Sequence, residues 1–284
     1  MIRFIIFTDP HYGAYDDFGM TSNERMEWIV ELEEKVVNTK KGLDFTVHCG
    51  DLKNHDYDPE GKHGLEDVEN HLKNLINPYY PIHGGHDKAT KEEWQSIFDI
   101  NKNYTFEYGD YGFIVLDTWN NSDVETSYWQ ESEADLIFLE DELNNFLDKN
   151  AVFIFNHYMT EDINNQTIQK ISEYENVKGV FEGHNHRYQT TIQENIEYYR
   201  CGRWSLPYNR YEADPRDMKT DIFSYRVVEI NEFNNRLYTY QFLPEYVYPD
   251  GNYEDEILQS ITIKKGIPSF ISTDISRSAW LWVN

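Results

Sequence analysis

Five short apolar runs in this chain each lead, within a few residues, into an aspartate or a histidine. They are RFIIFT (3–8), DFTVHC (44–49), YYPIH (79–83), AVFIFN (151–156) and VKGVFE (177–182). Each has the length and apolar content of a strand, and longer segments of helical period lie between them. That alternation is the pattern of an α/β fold. In such sheets ligands collect outside the carboxyl ends of the strands, so five polar arrivals at that edge define one candidate crevice.

The helical segments support this order. NERMEWIVELEEKVVNTKK puts Met26, Ile29, Val30, Val36 and Val37 near one face, with Ser22 or Asn23 as the cap. LEDVENHLKNLI repeats the pattern with Leu65, Val68, Leu72, Leu75 and Ile76, and EADLIFLEDELNNFLDK with Leu136, Leu139, Leu143, Phe146 and Leu147. YTFEYGDYGFIVLDTW (104–119) and IFSYRVVEINEFNNRLYTYQF (222–242) read as hairpins turning at GDYG and NEFNNR. Hairpins among strand–helix units imply mixed sheets. The organisation expected is a main domain over 1–243, with 244–284 as an acidic, then aromatic, appendage packed on it.

Charge narrows the partners. Fifty-one acidic against 25 basic side chains give a formal −26, a surface that repels anionic membranes and disfavours broad nucleic-acid binding. A small phosphorylated substrate stays compatible, because a bound cation reverses the local field. Cys49 and Cys201 have no paired-motif spacing, so two reduced, buried thiols are expected. The apolar start of MIRFIIFTDP is too short for a signal-peptide core or a membrane span, and a cytoplasmic location is the simplest expectation.

The polar arrivals are Asp9 and His11 in TDPHYG, Asp51 in CGDLKN, His86 and Asp87 in GGHDK, His157 in FNHYM, and His184 and His186 in EGHNHR. Singly, each has an ordinary reading as a turn or a buried imidazole. As an ordered set, carboxylates with several imidazoles and no thiolate suit a Zn, Mn or Fe pair.

The order Asp-x-His, Gly-Asp, Gly-[Asn]-His-Asp, His, Gly-His-x-His resembles the calcineurin-like metallophosphoesterase superfamily over about residues 1–190. The DPH opening and compact spacing are similar to its cyclic-nucleotide phosphodiesterase branch. The resemblance implies a four-layer α/β/β/α sandwich with two mixed β-sheets and a dinuclear metal centre. It implies that Asp9, His11 and His186 hold one divalent cation, that Asp51 bridges, and that His157 and His184 hold the second. His86, steadied by Asp87, would face the substrate as acid or transition-state donor. The implied activity is hydrolysis of phosphodiesters or phosphomonoesters by a metal-activated hydroxide.

One position departs from the pattern. Gly85 stands where the family has an Asn that gives its carbonyl oxygen to the second metal. A weaker second site is therefore expected, with water or a neighbour such as Asn54, His55, His83 or Asn156 filling the position. A backbone demand for positive φ, which glycine and asparagine both meet, would be the conformational reason for glycine there.

GRWSLPYNRY (202–211) brings Arg203, Trp204 and Tyr208 after the last motif. An aromatic face with a guanidinium would suit a nucleotide, and an ordinary surface loop is the competing reading. At the level of the whole chain, the rival to an enzyme is a degenerate member serving as a binding or scaffold module, supported in the motif set by Gly85 alone.

Overall fold

A computed structural model describes residues 1–13, 21–37, 42–54, 63–118, 133–158, 165–194, 196–205, 224–233, 236–243, 246–247, 262–263 and 269–270. The chain opens with β1 (Ile2–Phe7), α1 (Ser22–Val37), β2 (Phe45–His48), α2 (His63–Leu72), β3 (Tyr79–Pro81) and α3 (Lys91–Phe98). The hairpin β4 (Tyr104–Tyr108) and β5 (Tyr111–Val115) follows, then α4 (Glu133–Asn145), β6 (Ala151–Phe155), α5 (Asn165–Ser172) and β7 (Val177–Glu182). A second hairpin, β8 (Gln189–Gln193) and β9 (Ile196–Arg200), precedes a third, β10 (Tyr225–Asn231) and β11 (Arg236–Leu243). Short strands β12 (Tyr246–Val247), β13 (Thr262–Ile263) and β14 (Ser269–Phe270) end the description.

Apart from the β12–β13 pair, these strands form two six-stranded sheets, ordered β14-β11-β10-β1-β2-β3 and β4-β5-β6-β7-β9-β8. In the first, β1, β2 and β3 run parallel while β10 meets β1 antiparallel, Ile2 opposite Ile230. In the second, β5, β6, β7 and β9 are parallel, with β4 and β8 antiparallel at the edges. Both sheets are mixed, as expected.

Alternation along β1 shows how the layers arise. Ile2, Phe4 and Ile6 face the second sheet and pack with Phe113, Phe153, Phe155 and Phe181. Ile5 and Phe7 face the other way, under Met26, Trp28, Ile29 and Leu32 of α1. On the far side of the second sheet, Ile114, Val152, Ile154 and Val180 lie under Leu139 and Leu143 of α4 and Ile168 and Ile171 of α5. The result is the four-layer α/β/β/α sandwich. With both faces covered, such strands read as continuous apolar runs rather than alternating ones.

The expected helical faces are largely buried, with two exceptions. Ile76, beyond the end of α2, is 57% exposed and Leu147, beyond α4, is 63% exposed. Between α2 and β3 the buried Glu33 accepts from the backbone N–H groups of Ile76 (2.8 Å) and Asn77 (3.1 Å). That carboxylate fixes the connection that delivers β3 beside β2. The hairpin at 104–115 turns through Gly109, whose φ of +57° suits the first central position of a two-residue loop.

Of the expected 244–284 appendage, β12 pairs with β13, and β14 adds to the end of β11. The rest lies outside the described residues. Cys49 and Cys201 are free and buried. Among the described residues no helix is long and apolar enough to cross a membrane.

His48 on β2 is a weak point of this core. It is fully buried, its ring stacks on Phe7 at 5.5 Å, and neither ring nitrogen has a hydrogen-bond partner. Burial lowers its pKa from 6.5 to about 3. Between those values the unfolded chain binds a proton that the folded chain refuses, so stability falls as pH drops below 6.5. His48→Leu should raise the melting temperature at pH 7.5, and its advantage should grow by about 2 kcal/mol on going to pH 5. Thermal melts at both pH values check this; a gap independent of pH would refute it.

Candidate metal centre

The five polar arrivals meet where the carboxyl ends of the parallel strands of both sheets adjoin. Asp9 and His11 follow β1, Asp51 follows β2, His86 follows β3, His157 follows β6, and His184 and His186 follow β7. Backbone bonds stitch the loops together. Asp9 N–H donates to the Gly50 carbonyl (3.1 Å), His11 N–H to Asp51 O (3.1 Å) and Gly183 N–H to His157 O (3.0 Å). The His184 N–H crosses between sheets to Asp9 Oδ2 (3.1 Å).

Two glycines make this approach possible. A Cβ on Gly183 would stand 2.0 Å from Thr8 Oγ1 and 2.6 Å from the Cys49 carbonyl oxygen. One on Gly50, whose φ is +88°, would stand 2.3 Å from His157 Nδ1. The motif glycines are thus where one sheet's loops touch the other's.

Asp9, His11, Asp51, His184 and His186 all have positive φ, between 44° and 63°. Left-handed backbone costs a non-glycine residue on the order of 1–2 kcal/mol. Such strain gathers where geometry serves function. Here it turns five candidate ligands toward one point.

Three groups of side chains bring ligand atoms within 4.8 Å of one another: Asp9–His11–His186, His11–Asp51–His86 and Asp51–His157–His184. They share His11 and Asp51, so they adjoin. His186 Nε2 lies 3.1 Å from Asp9 Oδ1 and 3.2 Å from His11 Nε2. His157 Nε2 lies 3.1 Å from Asp51 Oδ2 and 3.9 Å from Asp9 Oδ1. His86 Nε2 is 4.0 Å from Asp51 Oδ2, and its ring meets that of His11 edge-on at 4.9 Å.

A cation suits this donor set. His157 Nδ1 lies 2.7 Å from the Cys49 carbonyl and donates to it, which turns Nε2 toward the carboxylates. That Nε2 is buried and makes no well-directed hydrogen bond even to the nearby Asp51. Imidazole nitrogens of His11 and His186 likewise face one another. Ligand-competent atoms from both sheets thus converge in one place.

The local field draws positive charge. Burial alone would lower the pKa of His157, but Asp51 and then Asp9 override it and push it up to about 10. Burial would raise Asp9, yet His186 and His157 bring it down to about 2. Asp51 resists burial in the same way and is held well below the carboxylate range by His157 and His11. His11 is lowered by burial, and His184 falls to about 4 through burial and the charge of His157.

Three expectations need correction. Asp87 does not steady the His86 ring. It is fully buried, and its two oxygens accept from the N–H groups of Lys53 (3.0 Å) and Gly84 (2.7 Å), so it fixes the loop backbone. Burial, with the charge of Asp51, raises its pKa to about 7. Trp204 is not a platform for a base. It is fully buried against Phe7 and Trp28, and its indole N–H donates to the Arg25 carbonyl. Gly85 is not among the positive-φ glycines, so backbone conformation does not demand glycine there.

Arg203 does reach the site, with Nη1 3.2 Å from His186 Nδ1. Tyr208 and His55 lie outside the described residues. His83 is not free to fill the position opposite Gly85, because its ring nitrogens face Asp117 and Lys102.

Residues 2–188 match the model of the calcineurin-like phosphoesterase family. The chain belongs to that family. A probable glycerophosphodiester phosphodiesterase of Arcobacter nitrofigilis is 29% identical over 175 residues, which cover 56% of this chain. The chain spans 62% of the length of that relative. Among solved structures, a dimetal phosphatase from Danio rerio superposes with a TM-score of 0.64 at 13% identity, covering 84% of this chain and 95% of that one. The Plasmodium protein GAP50, an anchor in the inner membrane complex, superposes with a TM-score of 0.56 at 15% identity, covering 93% and 90%. These two structural likenesses concern the sandwich, and the family assignment rests on the motif-bearing segment 2–188.

Proposed function

We propose that this chain is a metal-dependent phosphoesterase acting on small phosphodiesters. In this reading Asp9, His11 and His186 would hold one divalent cation, His157 and His184 would hold a second, and Asp51 would serve both. Mn, Fe or Zn suits such nitrogen and oxygen donors. The observation that carries the reading is the sharing of Asp51 between adjoining carboxylate–imidazole groups. When bound, such a pair supplies Lewis acidity and a hydroxide nucleophile near neutral pH.

The chain's own residues do the rest. The Cys49 carbonyl sets the orientation of His157, and the loop bonds to Asp87 hold the backbone of the segment bearing His86. His86, with its side chain 29% exposed, stands on the open side of the cluster. That exposure supports a role in giving a proton to the departing oxygen. A small diester is favoured over a nucleotide on two grounds. The named activity of the Arcobacter relative concerns glycerophosphodiesters, and the aromatic platform expected at Trp204 belongs to the core.

The test is hydrolysis of a chromogenic diester with Mn²⁺, run beside the corresponding monoester and a chelated control. Diester turnover that the chelator removes supports the reading. No turnover with any divalent metal would favour a scaffold.

The second group lacks a side chain at 85. We expect calorimetric titration to resolve a tight and a loose cation site, and two equally tight sites would refute that. Because Gly85 does not require positive φ, Gly85→Asn is tolerable to the backbone. It should tighten the loose site on the order of 10–100-fold, the scale of a lost or restored supporting interaction at a metal centre. An unchanged titration would mean that another group already fills the position.

A further inference from the structure

Three buried ionisable side chains meet beside the loop that carries His86, outside the metal-competent groups. His83 is 1% exposed, and Lys102 and Asp117 are each 8% exposed. Lys102 and Asp117 flank the open end of the β4–β5 hairpin, which belongs to the second sheet; His83 follows β3 of the first. His83 Nδ1 lies 3.1 Å from Asp117 Oδ1, and Lys102 Nζ lies 3.2 Å from His83 Nε2. Lys102 Nζ also donates to the Ala89 carbonyl (2.5 Å) and sits 3.9 Å from Asp117 Oδ2. Asp117 is fixed in turn, its own N–H donating to Asn103 Oδ1 (2.5 Å). The Trp94 ring meets His83 edge-on at 5.2 Å.

Burying such charges adds little net stability, since desolvation offsets the attraction. Its geometry gives it another use. His83 and Ala89 bracket residues 84–88, a loop whose adjacent glycines, Gly84 and Gly85, leave it unusual conformational freedom. The front of the loop is tied by Asp87 and by the His86 N–H, which donates to Asp51 Oδ1 (2.8 Å). The two ends are tied by Lys102.

We propose that Lys102, with His83 and Asp117, is a positioning device that clamps both ends of the 84–88 loop and so fixes the His86 imidazole over the reacting centre. The inference rests on the phosphoesterase reading. It also gives Gly85 a context: a loop with no side-chain tether to a cation at 85 is held from behind by the neighbouring hairpin.

The decisive variant is Lys102→Met with Asp117→Asn, which removes one charge of each sign and strands neither. It should leave the metal titration unchanged, lower kcat by tenfold or more toward about 100-fold, the cost of a misplacement near 1 Å, and leave KM within about twofold. Amide hydrogen exchange at residues 84–89 should speed up. His83→Gln, neutral and close in size, is the second arm should the double variant not fold, and it should show the same signature. Folded variants with wild-type exchange at 84–89, or with kcat within about twofold of wild type, would overturn the proposal. Exchange reads the clamp in a chain of any activity. A wild-type protein that hydrolyses nothing therefore overturns the functional reading, and exchange alone then decides the clamp.

Discussion

Asp51→Asn is expected to abolish diester hydrolysis while leaving the fold intact. The substitution keeps size and shape, and an amide oxygen can still accept the His86 N–H that Asp51 Oδ1 accepts now. What it removes is the anion that faces His157 at 3.1 Å and His11 at 4.0 Å, at the point shared by two candidate ligand groups. An amide cannot offer two charged oxygens to two cations. The loss should exceed the ~10²–10⁴-fold that deletion of a proton donor costs, because it strikes the metals themselves. Calorimetry should show the looser cation site gone and the tighter one weakened, while the metal-free protein keeps its fold at some cost in stability from the broken Asp51–His157 pair. A variant that still binds both cations and turns over at a tenth of the wild-type rate would remove Asp51 from the bridging role.

His86→Ala should separate proton transfer from metal binding. His86 belongs to one of the three ligand-competent groups, yet it is the most open of them, its side chain 29% exposed against 2% for His11 and Asp51. If it protonates the departing oxygen, its loss should lower kcat by ~10²–10⁴-fold for an alkyl diester, whose leaving group needs the proton. A p-nitrophenyl diester, whose leaving group departs as a stable anion, should suffer far less. The metal titration should not change. Equal losses on both substrates together with a weakened cation site would make His86 a ligand instead.

Much of the fold was legible because its strands are covered on both faces. β6 reads as an unbroken apolar run and β1, β2 and β7 as predominantly apolar ones, and the ligand-bearing motifs stand directly behind them. The β8–β9 hairpin was missed because β8, QTTIQ, is an exposed edge strand whose polar sequence carries no burial signal. α3 has only two turns, too few for periodicity, although its capping box at Thr90 and Glu93 could have marked it.

At the site, the ordered motifs named the residues that converge. Roles that depend on a side chain's direction were harder to read. Arg203 and Trp204 are neighbours in sequence, and one turns to His186 while the other enters the core. Asp87 sits beside His86 in the chain but spends its oxygens on backbone N–H groups of two loops. The Lys102–His83–Asp117 cluster joins residues from three separate segments, and nothing in local sequence announces that they touch.

The strand that brings Asp9 and His11 has its antiparallel neighbour far along the sequence, Ile2 lying opposite Ile230. His157, His184 and His186 likewise belong to the other sheet. A ribosome therefore makes Asp9, His11, Asp51 and His86 well before the imidazoles of the second sheet, and the group Asp51–His157–His184 exists only after His184 has emerged. Whatever needs ligands from both sheets in such a molecule waits for synthesis to pass His186.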